Sequence, residues 1–220
     1  MFLKVAVSSL LSRKGSAVMT LMAISVAIFV LLGIEQIRQQ ARDSFASTVS
    51  GVDLIVGAKT GSLNLLLYSV FRIGSPTDNI SWQAYRDIAD SDDVAWAIPI
   101  SLGDSHEGYR VVGTTQAFFE HFSFGKKRSL AFFKGEAFEG TFDAVLGSEV
   151  ASALGYSVGT EIILAHGLAS TSFTKHDSQP FVVVGVLAPT GTPVDQTIHV
   201  RLEGIEAMHA GGSAVPIGAF

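Results

Sequence analysis

Twenty consecutive residues without a charged side chain, Gly15 to Ile34, constrain this chain more than any other feature of its sequence. From Ala17 onwards the run is interrupted by only two hydroxyl side chains, those of Thr20 and Ser25. Twenty residues of α-helix span roughly 30 Å, which is the thickness of the hydrocarbon core of a bilayer. Both hydroxyls can donate to carbonyl groups of the preceding helical turn. The run therefore predicts a transmembrane helix, which we place at residues 16–36.

Two other interpretations of this run are a buried helix in a soluble core and a cleaved signal peptide. A soluble core helix seldom avoids charge over such a length. The apolar region of a signal peptide covers about 7–15 residues and is followed by small residues at the cleavage site. The run here is longer, and the residues that follow it, 35–40, offer no such site. An uncleaved span is therefore favoured, with the cleaved signal peptide as the stronger of the two rivals.

Charge is distributed unevenly along the chain, and this unevenness sets the expected orientation in the membrane. Before residue 35 the charged side chains are three basic ones, Lys4, Arg13 and Lys14, whereas the remainder carries twelve basic and twenty acidic residues. Basic flanks stay on the cytoplasmic side. We expect residues 1–15 to form a cytoplasmic interfacial helix, or the start of one longer N-terminal helix. Residues 40–220 should then lie outside the cytoplasmic membrane.

The rest of the chain alternates between strand and helix patterns without a fixed repeat, which predicts a mixed α/β domain. Residues 37–50 lack Gly and Pro and predict a helical stalk that Gly51 ends. Strands are predicted at 53–56, 94–99, 109–112, 144–146, 160–165, 181–187 and 196–200, and helices at 82–89, 116–122, 149–154 and from 201 onwards. Asn79 or Ser81, Thr114 or Thr115, and Ser148 are the expected N-caps, and Gly155 the expected C-terminal stop.

The strand predicted at 181–187 is the strongest in the chain. Its continuous apolar run predicts a central strand that is covered on both faces. Regular alternation would place Val182, Val184 and Val186 on one face and Val183, Gly185 and Leu187 on the other. A glycine inside a strand predicts a bulge or a close approach of another backbone.

Four motifs in a fixed order resemble the MacB-like permease subunits of ATP-binding cassette systems. They are Gly51-Val-Asp-Leu-Ile-Val-Gly57, Tyr109-Arg-Val-Val-Gly-Thr114, Ala144-Val-Leu-Gly-Ser-Glu149 and Phe181-Val-Val-Val-Gly-Val-Leu187. The resemblance implies a periplasmic core domain at 51–220, built of a βαβ subdomain and an inserted, mostly β subdomain at about 101–180. It also implies an α+β fold class overall, with one N-terminal transmembrane helix ahead of this domain.

The same resemblance implies partners and a function. Such permeases work as homodimers or heterodimers with a cytoplasmic ATP-binding cassette ATPase, and they transmit motion to periplasmic partners rather than enclose a pore. Family members normally have three further spans after the periplasmic domain, so this chain resembles the N-terminal part of a permease. A different class of function is an anchored periplasmic binding or scaffold protein, with or without a link to metal, that works without ATP.

The sequence offers little catalytic chemistry. Residues 57–62 superficially resemble a phosphate-binding loop, but their lysine lies too early and the Gly-Lys-Ser/Thr ending is missing. The absence of cysteine excludes disulfides and thiolate ligands, and a net charge of −5 leaves no basic footprint for nucleic acid. We therefore expect neither an enzyme nor a bound cofactor, and we assign ATP hydrolysis to a separate subunit.

Six histidines are present, at positions 106, 121, 166, 176, 199 and 209. His166, His176 and Asp177 flank a Ser/Thr-rich stretch and are the candidates for a metal site, because zinc needs three or four such ligands. Asp104 and His106 are expected to share a loop. Hydrogen-bonded or solvated histidines are the favoured alternative. An aromatic group is expected to pack in the core or between subdomains; it consists of Phe118, Phe119, Phe122, Phe124, Phe132 and Phe133.

Overall fold

A computed structural model describes residues 12–48, 50–74, 78–166 and 180–210 of the chain. The chain divides into two compact units, Met1–Phe45 and Ala46–Phe220. The first contains most of one long helix, and the second contains a mixed sheet with short helices. The predicted fold class is confirmed, since a long apolar N-terminal helix precedes a mixed α/β domain.

The N-terminal helix, α1, runs without a break from Lys14 to Thr48. Its residues Lys14–Gln40 are long and apolar enough to cross a membrane, and their apolar side chains are exposed, with Phe29 79% accessible. The Thr20 hydroxyl donates to the Ser16 carbonyl at 2.9 Å, so this polar group is satisfied inside the helix. Gly51, which adopts a φ of +79°, follows closely on the end of the helix. The division of this helix into a span at 16–36 and a stalk at 37–50 stays a prediction.

The second unit is built around an eight-stranded mixed sheet. Its strands are β1 (Ser101–His106), β2 (Tyr109–Thr114), β5 (Phe132–Gly135), β6 (Asp143–Leu146), β7 (Glu161–Ile162), β8 (Ala165–His166), β9 (Phe181–Leu187) and β10 (Thr197–Arg201). Seven of them follow the order β5-β9-β6-β10-β2-β1-β8, and β7 pairs with β9 off this path. Pairs β10–β2 and β6–β9 are parallel, and the other pairs are antiparallel. A separate two-stranded sheet pairs β3 (Ser123–Phe124) with β4 (Arg128–Ser129).

Two hydrophobic clusters account for the core of this unit. One joins Val183 and Val186 of β9 with residues of α5 and α6, the helices Ser148–Leu154 and Leu202–Ala210. The other cluster joins Leu187 and Val145 with the phenylalanines of α4, the helix Ala117–His121. Burial of β9 from both sides agrees with its continuous apolar sequence. Whether residues 51–220 divide into two subdomains stays a prediction.

Strand β9 has the predicted bounds, but its side chains do not alternate regularly. The pairing register with β6 shifts between Ala144 opposite Val183 and Val145 opposite Gly185, which leaves Val184 as the extra residue of a bulge. Val186 consequently joins Val183 in one cluster, whereas the prediction placed it with Val182 and Val184. The predicted effect of Gly185 is confirmed, because a Cβ there would lie 2.2 Å from the Glu136 carbonyl oxygen.

The remaining helices of the second unit are α2 (Ser62–Ser69) and α3 (Trp82–Ala89), and a 3₁₀ turn covers Pro193–Gln196. Of the expected caps, Ser81 is confirmed, since its hydroxyl accepts from the Ala84 backbone N–H at 3.2 Å. Gly155 closes α5 with a φ of +69°, as predicted. Ser148 and the two threonines do not cap, because Ser148 is the first residue of α5 and Gln116 precedes α4.

Three strand predictions are wrong. Residues 53–56 and 94–99 form no ladder, and their side chains border a cleft instead of packing between strands, with Leu54 75% exposed. Residues 160–165 break into β7 and the start of β8, which pair with different strands. The loop expected around Asp104 is strand β1, because Glu107 and Gly108 both take positive φ and turn the chain back into β2.

Candidate functional site

A cleft of about 610 Å³ opens in the second unit. Its walls come mainly from residues 52–74 and 78–101, which include α2 and α3, together with Phe118, Phe122 and Leu202. Most of the lining side chains are apolar. Small-molecule sites in proteins have volumes of about 300–1,000 Å³ and are mostly apolar with a few placed polar groups. The cleft has the dimensions of such a site.

A tight turn after α2 carries Arg72 into the protein. The helix ends with Val70 N–H donating to the Leu66 carbonyl, and the Ile73 N–H then donates to the Leu67 carbonyl at 2.9 Å. Arg72 lies within this turn with a φ of +59°, a backbone conformation that residues with a Cβ rarely adopt. Such conformations persist where the surrounding structure holds them, and they concentrate at functional sites.

The Arg72 side chain borders the cleft and is only 7% exposed. Its Nη1 donates to the Ser69 carbonyl. Among the described residues no carboxylate lies within ion-pair distance of it. Burial lowers the Arg72 pKa to about 10; Tyr68 opposes this shift and the Arg110 charge adds to it. The guanidinium is thus a buried cation at neutral pH, without an acidic partner in the part of the chain that the structure describes.

Tyr68 and Arg110 connect the Arg72 turn to the sheet. The Tyr68 hydroxyl donates to the Leu102 carbonyl of β1 at 2.6 Å, and Arg110 Nη2 of β2 donates to the Gly74 carbonyl. Burial raises the pKa of Tyr68 to about 12, although the charges of Arg110 and Arg72 oppose the shift. The phenol therefore stays protonated and keeps its role as a donor at neutral pH. These two contacts hold the turn against β1 and β2.

His199 is a second buried polar group in this region. It lies on β10, is fully buried, and stacks on Phe118, which also lines the cleft, with ring centroids 4.8 Å apart. Its Nε2 lies 3.2 Å from the Thr197 hydroxyl, and its Nδ1 has no hydrogen-bond partner among the described residues. Burial lowers the pKa of His199 to about 3, the Arg72 charge adds to this, and the Val145 backbone offsets a part. The imidazole is neutral.

The cleft contains a group that can bind negative charge. A buried cation in a mostly apolar cleft attracts an anion, because electrostatic attraction is strong where water is excluded. The described groups that act on Arg72 or respond to its charge are a protonated phenol, a second cation and a neutral histidine, so its charge is available to an anion.

The structure does not test the predicted metal candidates. His176 and Asp177 lie outside the described residues, and only the backbone of His166 is described, as part of β8. That backbone pairs with Asp104 of β1. Within the described part of the chain, no group of three potential ligands comes together. The metal site at His166, His176 and Asp177 stays a prediction.

Two other histidines make definite contacts. His106 Nδ1 lies 2.7 Å from the Ile163 carbonyl oxygen, and its Nε2 lies 3.1 Å from the Tyr156 hydroxyl. His121 stacks on Trp96, with their ring centroids 5.2 Å apart. His106 thus has a polar partner at each ring nitrogen, and His121 packs on an aromatic ring.

The aromatic group lies mostly in the core, as expected. Phe118, Phe119, Phe122 and Phe124 are buried in one cluster, and Phe132 packs against it. Phe133 is an exception to the prediction, because it is 69% exposed on β5, where neighbouring side chains point to opposite faces.

Tyr68 and Arg72, which line the cleft, and His199, which packs on its wall residue Phe118, were not predicted as site residues from the sequence. One signal was present, because Arg72 directly follows the apolar run 63–71 and the nearest acid after it is Asp78. An arginine that follows an apolar segment and has no acid close by in the sequence indicates a guanidinium that is buried without a local acidic partner. His199 carried no such signal, because its burial depends on the sheet order.

Comparison with known proteins adds one positive finding. A family model described as the MacB-like periplasmic core domain matches residues 17–212, which is nearly the whole chain. A search among curated proteins finds no match.

Proposed function

The chain belongs to the family of MacB-like periplasmic core domains, and from this premise we propose that it couples a cytoplasmic ATPase to work outside the membrane. In this proposal it is the permease subunit of an ATP-binding cassette complex in the bacterial inner membrane. The observation that carries the proposal is the family match over residues 17–212, which includes both the apolar helix and the mixed α/β domain.

The coarser part of this assignment follows from the family itself. Its members are membrane permeases associated with ATP-binding cassette transporters, and ATP hydrolysis belongs to a partner subunit. The apolar helix Lys14–Gln40 agrees with location in the inner membrane. The proposal adds a cytoplasmic N-terminus, an outer domain beyond residue 40, and a dimer of permeases. The basic side chains at 4, 13 and 14 support this orientation.

The continuity of α1 supports the transmission of motion along the chain. The helix contains 35 residues and extends about 52 Å at 1.5 Å per residue. Its outer part, from Gln36 to Thr48, has no Gly or Pro, and Arg38 and Glu35 add an exposed ion pair at 2.8 Å. A flexible tether would instead be rich in Gly and Ser. A continuous helix can transfer displacement from the membrane to the outer domain.

A hinge insertion tests this proposal against the anchored scaffold. One variant receives Gly-Ser-Gly-Ser after Gln40, and a matched control receives Ala-Glu-Ala-Lys at the same position, which preserves length and helix propensity. The complete complex with its ATPase is reconstituted in lipid. A spin label is attached through a single Ser152→Cys substitution on α5, where the residue is exposed and the chain has no native cysteine.

We expect ATP to change the distance between labels of the two protomers in the parent complex and in the helical-insertion control. The glycine-serine insertion should abolish this change while the ATPase still co-purifies with the permease. A scaffold needs only proximity, so it would show no ATP-dependent change in any of the three complexes. An undiminished ATP-dependent change in the hinged complex would contradict transmission through α1.

A further inference from the structure

We propose that the cleft beside α2 binds a free single-chain carboxylate amphiphile, whose head group pairs with Arg72 and whose hydrocarbon chain lies along the apolar walls. This site goes beyond the proposed permease function, which assigns no ligand to the outer domain. Three features of the cleft support this site: its apolar lining, the buried cation Arg72, and the hydrogen bonds that Tyr68 and Arg110 already make to backbone carbonyls.

The lining fits a hydrocarbon chain. Ile55, Leu65, Val70, Ile98 and Phe122 are among the apolar side chains that border the cleft. Val70 and Phe122 are buried, whereas Ile55, Leu65 and Ile98 are partly exposed, so the walls pass from the protein core towards solvent. Covering such surfaces removes apolar area from water, which is favourable in proportion to the area covered. A cavity of about 610 Å³ has the volume of a small-molecule site.

The charge of the cleft specifies the head group. Arg72 is 7% exposed, and no carboxylate among the described residues lies within ion-pair distance of it. The cleft has three acidic side chains of its own, Asp53, Asp78 and Asp93, but all three are exposed. The ionisable neighbours that act most on Arg72 are Tyr68 and a second cation, Arg110. A carboxylate ligand would complete the missing ion pair, and guanidinium binds carboxylate with two parallel hydrogen bonds.

The neighbouring donors favour a monoanion. The Tyr68 hydroxyl already donates to the Leu102 carbonyl, and Arg110 Nη2 donates to the Gly74 carbonyl. Arg72 uses Nη1 for the Ser69 carbonyl, and the remaining N–H groups of its guanidinium provide the capacity for two oxygen atoms. One guanidinium balances a carboxylate, whereas a phosphate dianion needs more positive charge and more donors than this cleft offers.

Photolabelling of the full chain in lipid nanodiscs tests the site. The probe is a fourteen-carbon carboxylate with a diazirine near the end of its chain, and the matched probe is the alcohol of the same length. Labelled peptides are mapped by mass spectrometry, and unlabelled tetradecanoate, decanoate, tetradecanol and an apolar peptide with a free carboxyl terminus serve as competitors. The variants are Arg72→Gln and, as a matched control, Arg86→Gln, an exposed arginine of α3 that does not line the cleft.

We expect the carboxylate probe to label residues 52–74 and 78–101 and the alcohol to label them at least tenfold less, because hydrogen bonds to charged groups contribute strongly to binding. Arg72→Gln should reduce carboxylate labelling to the level of the alcohol, whereas Arg86→Gln should leave it unchanged. Decanoate should compete more weakly than tetradecanoate, by up to about fourfold for each methylene lost. Arg72→Gln should melt at or above the parent temperature, since it removes a buried charge that has no acidic partner among the described residues.

Equal labelling by acid and alcohol would overturn the proposal, as would unchanged labelling in a folded Arg72→Gln variant. Stronger competition by the peptide than by tetradecanoate would overturn it in favour of a peptide groove. If Arg72→Gln fails to fold, the comparison of acid with alcohol on the parent chain decides the question. The measurement uses no ATP, so its outcome is independent of the coupling experiment.

Discussion

At the scale of single residues, the mixed α/β domain buries two basic side chains, the charged Arg72 and the neutral His199. The Arg72 charge acts on His199 and disfavours its protonation, in addition to the larger effect of burial. Protonation of His199 therefore costs free energy in the folded protein, whereas the hydrated histidine of the unfolded chain takes up a proton without this cost. Stability should depend on pH in the range where an unfolded histidine would take up a proton.

The sign of this dependence follows from the two pKa values of His199. The folded value is about 3 and the unfolded value about 6.5, so the unfolded chain binds more protons between these limits. The contribution of His199 to the free energy of unfolding is fully present above pH 6.5. It falls as the pH is lowered, by about 2 kcal/mol at pH 5. In His199→Gln, the part of the stability loss that comes from His199 should be absent. In the control His121→Gln, which changes a partly exposed ring, the full loss should remain.

Thermal unfolding of the full chain in nanodiscs, followed by tryptophan fluorescence between pH 7.5 and 5, measures this difference. The parent and His121→Gln should lose melting temperature more steeply than His199→Gln. Identical slopes for parent and His199→Gln would show that the histidine titrates normally and is hydrated in the folded protein.

At the scale of elements, strand β9 shows how much of this fold can be read from sequence. The apolar run fixed its bounds, and Gly185 correctly predicted an irregularity, since both are local properties. The bulge itself depends on pairing with β6, whose residues lie far away in the sequence. Alternation could therefore not predict that Val186 shares a cluster with Val183.

The cleft illustrates the same limit. Residues 53–56 and 94–99 have strand-like composition, but β-propensity depends on packing against neighbours more than on the backbone. Neither segment joins the sheet, and both border the cleft. The cleft forms from residues brought together by the whole unit, so its charged residue could be noticed in the sequence but its burial could not.

The bulge in β9 leads to a test with an internal control. Val183 is fully buried, whereas Val182, its neighbour in the same strand, is 37% exposed. Val183→Asp places an unpaired charge in the core, which costs several kcal/mol against a total stability of about 5–15 kcal/mol. Val182→Asp leaves its carboxylate in contact with water but opposite the acidic Asp143 and Glu161, so it should cost about 1 kcal/mol.

Urea denaturation of the two variants, or the yield of folded protein where one does not fold, measures this contrast. We expect Val183→Asp to be unfolded or strongly destabilised and Val182→Asp to unfold close to the parent. Similar losses for both substitutions would mean that the two residues are equally buried and that the face assignment of β9 is wrong.

At the scale of the whole molecule, charge and hydropathy divide the chain into parts suited to different surroundings. The N-terminal flank is basic, the helix that follows is apolar and exposed, and the mixed α/β unit is acidic overall. An exposed apolar surface of this extent indicates contact with lipid or with another protein. The membrane assignment is common to the proposed permease and to the anchored scaffold, so it is tested separately from coupling.

The orientation of the chain in the membrane can be tested with reporter fusions after Ser50 and after Ala210. Alkaline phosphatase, which is active only outside the cytoplasm, should be active at both positions, and a cytoplasmic fluorescent reporter should be dark there. Because basic flanks are retained in the cytoplasm, replacing Lys4, Arg13 and Lys14 with glutamate should shift a measurable fraction of molecules to the opposite orientation. A matched variant in which the same three positions exchange Lys and Arg keeps the charge and should behave as the parent.

The fusion protein should also retain its full apparent mass, since a cleaved signal peptide would release a shorter product. Cytoplasmic reporter activity at both sites, or loss of the N-terminal segment, would contradict an uncleaved helix with its N-terminus in the cytoplasm.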